Sequence, residues 1–497
     1  MQSAFQNQRG SPQYGTAAPY NGQGHGQHTR AISALAVNDV HSKLNRTLQK
    51  EVVRVRSEEQ VKNLLRCLPK DETVSICGAK HAMGGQQFLS GGILFDTGHY
   101  RRIIDFCPTS GLIEVESGIL WADLVPAINA LSSGKKRWCI VQKPTGADDI
   151  SVGGSLAANI HGRVLNRKPF VSDIDSLRII MADGSTLNAS RHQNSQLFKL
   201  AIGGYGLFGF VSAVTFRLMP VKNFCRSVEL MTADALIDRF HQHIKEGAEY
   251  GDFQFEIDSS SDHFLTGGIL SVYKPTAKDC DGDGKTKRLT PSEWSELISL
   301  AHNDKSQAFR KYSRHYLATD GQVYSSDDFQ LTTYLAGYHE SLHNLKGKGA
   351  ERSSEMITEL YVPRKRLPEF LINAAEALRK QKADVVYGTV RLIERDDETF
   401  LPWARQAYAC VIFNLHVDHN HSSIERCKRA FRTLIDLALA LDGSYYLTYH
   451  RYATKDQVLT AYPQMPEFFK EKARFDPDLR FQSEWYKHHI QLLETGS

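Results

Sequence analysis

Two glycine-rich stretches in the first half of the sequence decide how the chain is interpreted. Residues 144–163 read PTGADDISVGGSLAANIHGR, and residues 77–87 read CGAKHAMGGQQ. Successive backbone N–H groups in such turns form concave sites for anions, because glycine places no side chain in the way. The pair could therefore hold both phosphates of a dinucleotide. Spacing alone leaves open the alternative that both are ordinary tight turns of a β-rich fold.

A third glycine-rich stretch, GGYGLFG at residues 203–209, contains the spacing GxGxxG. In a Rossmann domain this motif follows a strand and opens a helix, so that the helix N-terminus faces the pyrophosphate. The order is reversed in this chain, because residues 194–202 have helical character and the apolar run at residues 210–220 predicts a strand. We therefore reject a Rossmann site at this position.

The surrounding pattern predicts an α+β fold. Short β-rich runs and helices alternate up to Pro220, and longer helices with antiparallel-looking strands follow. We therefore place a domain boundary near residue 221. The resulting divisions are a disordered segment at residues 1–37, a first domain at 38–220, a second domain at 221–440, and a C-terminal segment at 441–497 that packs back on the first domain.

The composition excludes several classes of partner. Lys plus Arg number 60 and Asp plus Glu number 56, so neither a nucleic acid nor an anionic membrane is expected as a partner. Residues 1–30 lack an apolar signal segment, and the longest apolar run, residues 207–216, is too short to span a bilayer. We expect a soluble, cytoplasmic protein. The eight cysteines form no CxxC pair, which argues against a zinc ribbon or a redox dithiol.

Two stretches have metal-ligand composition, but neither predicts a metal site. Residues 279–290 begin like a calcium loop, yet Thr290 stands where the bidentate glutamate is needed, so a surface turn is expected. In the stretch NLHVDHNHSS, strand alternation places His416 and His419 on opposite faces. A single His416 near a ligand pocket is the more plausible interpretation, and we expect no metal.

Together these stretches resemble the vanillyl-alcohol-oxidase-type flavoproteins, which carry the PCMH-type FAD-binding domain. The resemblance rests on the first turn with its central His81, on residues 144–163 and on residues 203–220, in that order and spacing. It resumes at residues 462–486, which resemble the end of the sugar- and alditol-oxidising members. The second turn is particularly similar to the decaprenylphosphoryl-ribose oxidase branch.

The resemblance implies an α+β fold with a PCMH-type FAD-binding domain of two α+β subdomains, an α+β cap domain, and FAD as cofactor. In the family, the first turn surrounds the pyrophosphate and its histidine often bonds covalently to the flavin. His81 holds this position, so covalent FAD is expected; a histidine that caps the loop without a bond is the alternative. No cysteine lies at residues 146–150, so a second bond is not expected. The residues expected to bind FAD are Gly78, Ala79, Lys80, His81, Ala82, Met83, Gly84, Thr145, Gly146, Asp149, Ser151, Gly153, Gly154, Ser155, Asn159, His161, Gly162, Gly209 and Val211.

The substrate side follows the family less closely. VRLIERDDETFLPWA at residues 390–404 resembles a cap segment in which an arginine binds near the flavin, and Arg391 matches it. A surface ion pair is the alternative. In sugar-oxidising members a lysine follows the last cap strand, whereas this chain has Tyr449 and His450. Together with His416, these two residues are candidates for the base that removes a hydroxyl proton, although ordinary packing roles remain open.

The resemblance implies an FAD-dependent oxidoreductase that acts on the CH–OH group of a small-molecule polyol, sugar or lactone and passes electrons to O2 or another acceptor. One alternative is a flavin-dependent reductase or dehydrogenase acting on a lipid-linked or sterol-like substrate. A non-catalytic binding protein with the same fold is the alternative from a different class.

Overall fold

The computed structural model of the protein describes residues 35–132, 137–279, 287–326 and 351–495. Residues 1–34 of the segment expected to be disordered, and residues 280–286 of the calcium-like stretch, lie outside the described residues. Residues Ala34–Ser497 form one compact unit. The divisions at residues 220 and 440 therefore remain predictions.

A small parallel sheet positions the first glycine-rich turn. After the antiparallel pair β1 (Leu35–Val37) and β2 (Thr47–Gln49), the sheet contains β3 (Glu51–Arg54), β4 (Val74–Cys77) and β5 (Ile93–Asp96) in the order β3-β5-β4. Helix α1 (Glu58–Cys67) connects β3 to β4, and both strands pair in parallel with β5, which lies between them. The first glycine turn, residues 78–85, begins directly at the carboxyl end of β4.

A second, antiparallel sheet carries the other glycine-rich stretches. Its strands in the described part of the chain are β6 (Ile103–Cys107), β7 (Leu112–Glu116), β9 (Ile174–Ile180), β10 (Thr186–Ser190) and β11 (Phe210–Arg217), in the order β10-β9-β11-β7-β6. The accompanying elements are α2 (Trp121–Leu131), the short pair β8 (Trp138–Cys139) and β12 (Met219–Pro220), α3 (Val152–Ala158) and α4 (Ser195–Ala201). The GxGxxG stretch lies between α4 and β11, as its reversed order predicts.

The third sheet is the largest, and we call it the large sheet. It contains β13 (Asn223–Thr232), β14 (Tyr250–Phe255), β15 (Gly267–Thr276), β16 (Val323–Ser325), β17 (Ser353–Pro363), β18 (Val385–Ile393), β19 (Tyr408–Asp418) and β20 (Ser444–Tyr445), in the order β16-β13-β15-β14-β18-β19-β17-β20. All its described pairings are antiparallel. The α+β fold predicted from the sequence is confirmed.

Eight α-helices follow residue 220 in the described part of the chain. They are α5 (Ala233–Lys245), α6 (Pro291–Asn303), α7 (Lys305–Leu317), α8 (Leu367–Lys380), α9 (His421–Leu439), α10 (Lys455–Ala461), α11 (Met465–Phe475) and α12 (Glu484–Glu494). Phe370 of α8 contacts Phe413 on one face of the large sheet, with ring centroids 6.5 Å apart. Strand alternation turns Ile412 and Asn414 to the other face, where a cavity lies and where α6 and α7 are also found. No described helix is long and apolar enough to cross a membrane.

The chain near the C-terminus pairs with the first sheet. The Val74 N–H donates to the Arg480 carbonyl at 2.7 Å, and the Gln482 N–H donates to the Val74 carbonyl at 2.9 Å. Trp485 stacks on Tyr205 of the GxGxxG stretch, with ring centroids 4.7 Å apart. These contacts place residues from the end of the chain beside two of the three glycine-rich stretches.

A buried ion pair reinforces this contact. Lys472 is fully buried; its ammonium donates to the Leu207 carbonyl at 2.7 Å and to the carboxylate of Asp476. Burial lowers the pKa of Lys472 to about 8, although Asp476 opposes the shift. The Asp476 carboxylate also accepts hydrogen bonds from the Arg480 and Phe481 N–H groups at 2.9 and 2.8 Å.

We expect Lys472→Met to reduce the free energy of unfolding by about 3 to 5 kcal/mol, because it leaves the Asp476 charge buried without its cation. Urea unfolding followed by tryptophan fluorescence measures the change. Lys470→Met is the matched control, since Lys470 lies on the same helix but forms only an exposed pair with Glu467. A Lys472→Met protein as stable as the control would contradict the prediction.

Candidate active site

One cavity of about 770 Å³ joins the glycine-rich stretches to the large sheet. The first glycine turn and residues 144–161 of the second form one wall, together with Gly206, Gly209 and Val211. The opposite wall comes from β13, β14, β15, β17, β18 and β19 of the large sheet. The cavity is therefore long, and its two ends have different chemistry.

The two glycine turns touch each other, and this contact explains one of the glycines. A Cβ atom on Gly78 would lie 2.1 Å from the Ser151 hydroxyl oxygen, so no side chain fits there. The Ser151 oxygen in turn accepts a hydrogen bond from the Gly154 N–H at 3.1 Å and caps α3. The close approach of the two turns leaves their backbones facing the cavity together.

Several features of this wall indicate an absent ligand. Thr145 Oγ1 is buried at the cavity and has no hydrogen-bond partner among the described residues. Gly146 and Gly206 line the cavity, and a Cβ built on either would meet no atom within 4 Å. Buried polar atoms are normally satisfied, so an orphaned one beside open space fits a polar ligand. A cofactor with phosphate and hydroxyl groups would supply the missing partner.

His81 is held between two polar neighbours. Its Nδ1 lies 2.8 Å from His41 Nε2, and its Nε2 lies 3.2 Å from Asp149 Oδ1, in a direction that departs from hydrogen-bond geometry. Burial raises the pKa of Asp149, but the neighbouring His81 outweighs burial and lowers it. The ring is thus oriented from two sides while its edge remains open to the cavity.

A buried cluster centred on Glu359 forms the opposite wall. Glu359 Oε1 lies 2.6 Å from His161 Nε2 and accepts hydrogen bonds from the Tyr361 hydroxyl at 2.6 Å and the Cys410 thiol at 3.1 Å. The His161 Nδ1 lies 3.1 Å from the Gly162 carbonyl, which can only accept, so this nitrogen carries a proton. His161 and Glu359 therefore form a buried, hydrogen-bonded pair.

The pair determines the charge of Glu359. Burial raises the pKa of this carboxyl, but the charge and hydrogen bond of His161 outweigh burial and lower the pKa to about 2. His161, Glu359 and Cys410 offer atoms within 4.8 Å of one another, as metal ligands would. However, burial raises the pKa of the Cys410 thiol well above its usual range. The Cys410 thiol therefore keeps its proton, whereas a metal would require its lone pair.

Arg391 and Tyr449 complete this end of the cavity. The Tyr449 hydroxyl donates to Glu359 Oε2 at 3.2 Å, and burial raises the pKa of this hydroxyl well above its usual range. Arg391, on β18, pairs with Cys410 of β19 in the sheet register. Its side chain is buried, and its Nε has no hydrogen-bond partner among the described residues. We call the group of Glu359, His161, Tyr449 and Arg391 the polar centre.

The comparison with protein families decides the cofactor. Residues 50–190 match a family model described as an FAD binding domain. The chain carries an FAD-binding domain. FAD is its cofactor, as predicted, and the PCMH-type fold and the resemblance to vanillyl-alcohol-oxidase-type flavoproteins are confirmed.

Curated relatives of the FAD-binding protein are distant. Cytokinin dehydrogenase 5 of Oryza sativa subsp. japonica is 22% identical over 60% of this chain and 58% of its own length. Cytokinin dehydrogenase 1 of the same plant is 28% identical over 33% of this chain and 30% of its own length. L-gulono-1,4-lactone dehydrogenase of Mycobacterium tuberculosis is 20% identical over 87% of this chain and 94% of its own length. The chain therefore spans less than two thirds of the first two relatives.

Most residues expected to bind FAD line the cavity of the FAD-binding domain. These are Gly78, Ala79, Lys80, His81, Ala82, Met83, Thr145, Gly146, Ser151, Gly153, Gly154, His161, Gly209 and Val211. Gly84, Asp149, Ser155, Asn159 and Gly162 are not among the residues that line the cavity. The Ser155 hydroxyl, for example, accepts from the Trp121 indole at 2.9 Å, and Asn159 Nδ2 donates to Asp396 at 2.9 Å. These five residues shape the wall without facing the cavity.

The candidates for the base separate in space. Tyr449 lines the cavity, whereas His450 faces a small separate cavity, where its ring stacks on Tyr452 at 5.3 Å. His416 is also outside the main cavity lining; its ring lies 4.8 Å from His302, which does line the cavity. The structure therefore brings only Tyr449 of the three to the polar centre.

Sequence reasoning missed Glu359, although a signal was present. Strand alternation in SEMITELYVP puts Glu355, Ile357 and Glu359 on one face of β17, and all three line the cavity. Two carboxylates on a face that also carries apolar residues are unusual for a packed sheet. Their partner His161 lies 198 positions away in the chain, so the pairing itself needs the fold.

Proposed function

We propose that this protein is an FAD-dependent oxidoreductase that oxidises the CH–OH group of a polyol, sugar or lactone. The observation that carries the proposal is the buried chain from Tyr449 through Glu359 to His161, beside Arg391 and open to the same cavity as the glycine turns. It provides a fixed path for a proton at the place where the cofactor wall and the large sheet meet.

The chain's own residues would manage the proton and the substrate oxygen. Bound FAD would accept the hydride from the carbinol carbon and later pass the electrons to O2 or another acceptor. As the hydride leaves the carbinol carbon and the substrate hydroxyl becomes strongly acidic, its proton would pass to the Tyr449 oxygen while the Tyr449 proton moves to Glu359 Oε2. Arg391 offers an N–H to the substrate oxygen and holds it in place. His161 stabilises the Glu359 carboxylate until the proton arrives.

The lining and the relatives both support a hydroxylated substrate. Gln254, Arg391 and Asn414 place amide and guanidinium groups along the cavity, and such groups bind hydroxyls. A relative that covers most of this chain is named for a lactone, L-gulono-1,4-lactone.

The decisive experiment is an anaerobic screen of polyols, sugars and lactones for bleaching of flavin absorbance near ~450 nm. We expect at least one hydroxylated compound to bleach the flavin within seconds, and admission of air to separate an oxidase from a dehydrogenase. Apolar or prenyl-bearing compounds that bleach the flavin while no hydroxylated compound does would contradict the proposed substrate class. Protein that never acquires flavin absorbance, even with added FAD, would favour the non-catalytic alternative.

A second candidate is a substrate with a large apolar group. Trp294 and Leu297 of α6 and Phe309 of α7 line the cavity beyond the polar centre. Apolar walls of this kind favour a hydrocarbon or ring system. The same screen tests this candidate, because it contains both classes of compound.

A further inference from the structure

The cavity continues well past the polar centre to a second end, which we call the distal end. It is formed by Arg226 on β13, Tyr273 on β15, Tyr316 on α7 and Arg163. Strands β13 and β18 are three steps apart in the large sheet, and neighbouring strands lie about 4.8 Å apart. Arg226 and Arg391 therefore lie on strands that are about 14 Å apart. A single hydroxyl group cannot contact both side chains over this distance.

Arg226 is a buried cation that has no anionic partner among the described residues. Its side chain is 6% exposed, and no carboxylate of the described residues lies within ion-pair distance of it. One terminal nitrogen donates to the Ser271 hydroxyl at 2.9 Å, while Nε has no hydrogen-bond partner among the described residues. A buried charge without a counter-ion raises the free energy of the folded state unless other polar or charged groups stabilise it.

Two tyrosine rings hold the guanidinium in position. Its central carbon lies 4.1 Å from the centroid of the Tyr316 ring and 5.5 Å from that of Tyr273. Contacts between a cation and aromatic faces orient the planar fork but leave its in-plane N–H groups available. Arg226 is thus presented to the cavity as a fixed donor.

The charges around Arg226 are predominantly positive. The cationic side chains lining this end are Arg163, Arg226, Lys287 and Arg288. The acidic side chain lining it within the described residues is Asp252, whose Oδ1 lies 3.9 Å from Arg163 Nη1. Asp252 therefore offsets Arg163 in part and leaves the charge of Arg226 without a counterpart.

We propose that the distal end binds an anionic group of the substrate, a phosphate or a carboxylate, through Arg226. This inference deepens the proposed function and rests on it for the reacting end of the molecule. The substrate would carry a reacting hydroxyl at the polar centre and an anion several carbons away. Anionic oxygens accept the in-plane N–H groups of arginine and offset its buried charge. The anion would then fix which hydroxyl reaches Tyr449.

The test compares matched neutral and anionic substrates. D-glucitol, D-glucitol 6-phosphate and D-gluconate are assayed with the wild-type holoenzyme and with Arg226→Gln, and KM and kcat are measured separately. We expect Arg226→Gln to raise KM for the preferred anionic compound by about 10- to 100-fold, because the variant loses one charge-assisted hydrogen bond. KM for the neutral compound should not change. Comparing D-glucitol 6-phosphate with D-gluconate identifies whether the bound anion is a phosphate or a carboxylate.

Two further variants control the comparison. Arg226→Lys retains the charge but not the planar fork, so we expect an intermediate KM. Arg314→Gln removes an exposed arginine from the same helix as Tyr316 and should behave as wild type. Flavin content and melting temperature of each variant show that the fold is intact.

Direct binding separates this inference from the proposed function. Isothermal titration with inorganic phosphate and with D-gluconate reports binding without turnover. If no hydroxylated compound is oxidised but one anion binds the wild type and not Arg226→Gln, the distal site stands and the proposed reaction fails. If neutral polyols are oxidised and Arg226→Gln changes neither anion binding nor KM, the distal site is wrong and the reaction stands.

Discussion

Glu359→Gln is expected to lower kcat by about 100- to 1,000-fold while FAD remains bound. The amide keeps the size of the side chain but removes the charge that receives the Tyr449 proton and pairs with His161. Proton transfer by a positioned side chain contributes about 10²- to 10⁴-fold, so most of that contribution should disappear. Stopped-flow bleaching of the flavin under anaerobic conditions measures the chemical step directly.

The matched control is Glu116→Gln. Glu116 is equally buried, but it pairs with Arg102 outside the cavity, so its loss should leave kcat within about twofold of wild type. Tyr449→Phe should lower kcat in the same direction, since it interrupts the path before Glu359. Wild-type turnover in Glu359→Gln, with the flavin present, would remove Glu359 from the reaction.

Glu359→Gln should also change how the melting temperature depends on pH. The pKa of Glu359 is about 2 in the folded protein, below its ordinary value of 4.5, so its charge stabilises the fold above about pH 4.5. That contribution is lost as pH falls from about 4.5 towards 2. The difference in melting temperature between wild type and Glu359→Gln should therefore be constant above pH 5.5 and shrink below pH 4.5. A difference that grows on acidification would contradict the assigned charge.

His81→Ala is expected to abolish acid-stable flavin. If His81 carries the predicted covalent bond, trichloroacetic acid precipitates yellow wild-type protein, whereas the variant gives a colourless pellet and a yellow supernatant. The His81 ring lies in the first glycine turn, between His41 and Asp149, and it lines the cavity. Absorbance near ~450 nm in the redissolved pellet should fall from about one flavin per chain to background.

His99→Ala serves as the matched control, because this exposed histidine lies outside the cavity. Its pellet should be as yellow as that of the wild type. A colourless wild-type pellet would show that His81 holds the flavin without a bond. A yellow His81→Ala pellet would assign the bond to another residue.

The glycine-rich wall of the cavity could be predicted from the sequence because it depends on local properties of the chain. The absence of a side chain at Gly78, Gly146 and Gly206 is a property of each residue, and the order of turns along the chain is readable without a fold. Hydrophobic periodicity likewise predicted the strand after the GxGxxG stretch, because a run of apolar residues is a local signal.

The substrate wall depended on the tertiary structure. His450 follows Tyr449 directly, yet the two side chains enter different cavities, since the backbone direction after β20 decides which one faces the polar centre. Asn194 stands at the N-cap of α4, but with φ of 47° its side chain donates to the Asn188 carbonyl rather than capping the helix.

The sequence by itself predicted that this chain has an α+β fold and binds FAD. Only the tertiary structure decided that Glu359 faces His161 and that Arg226 lies between two tyrosines with no counter-ion among the residues that the structure describes. The physical reason is the range of the interactions. Turn geometry and strand alternation are set by neighbours in the chain, whereas desolvation and ion pairing depend on side chains that folding brings together from distant positions.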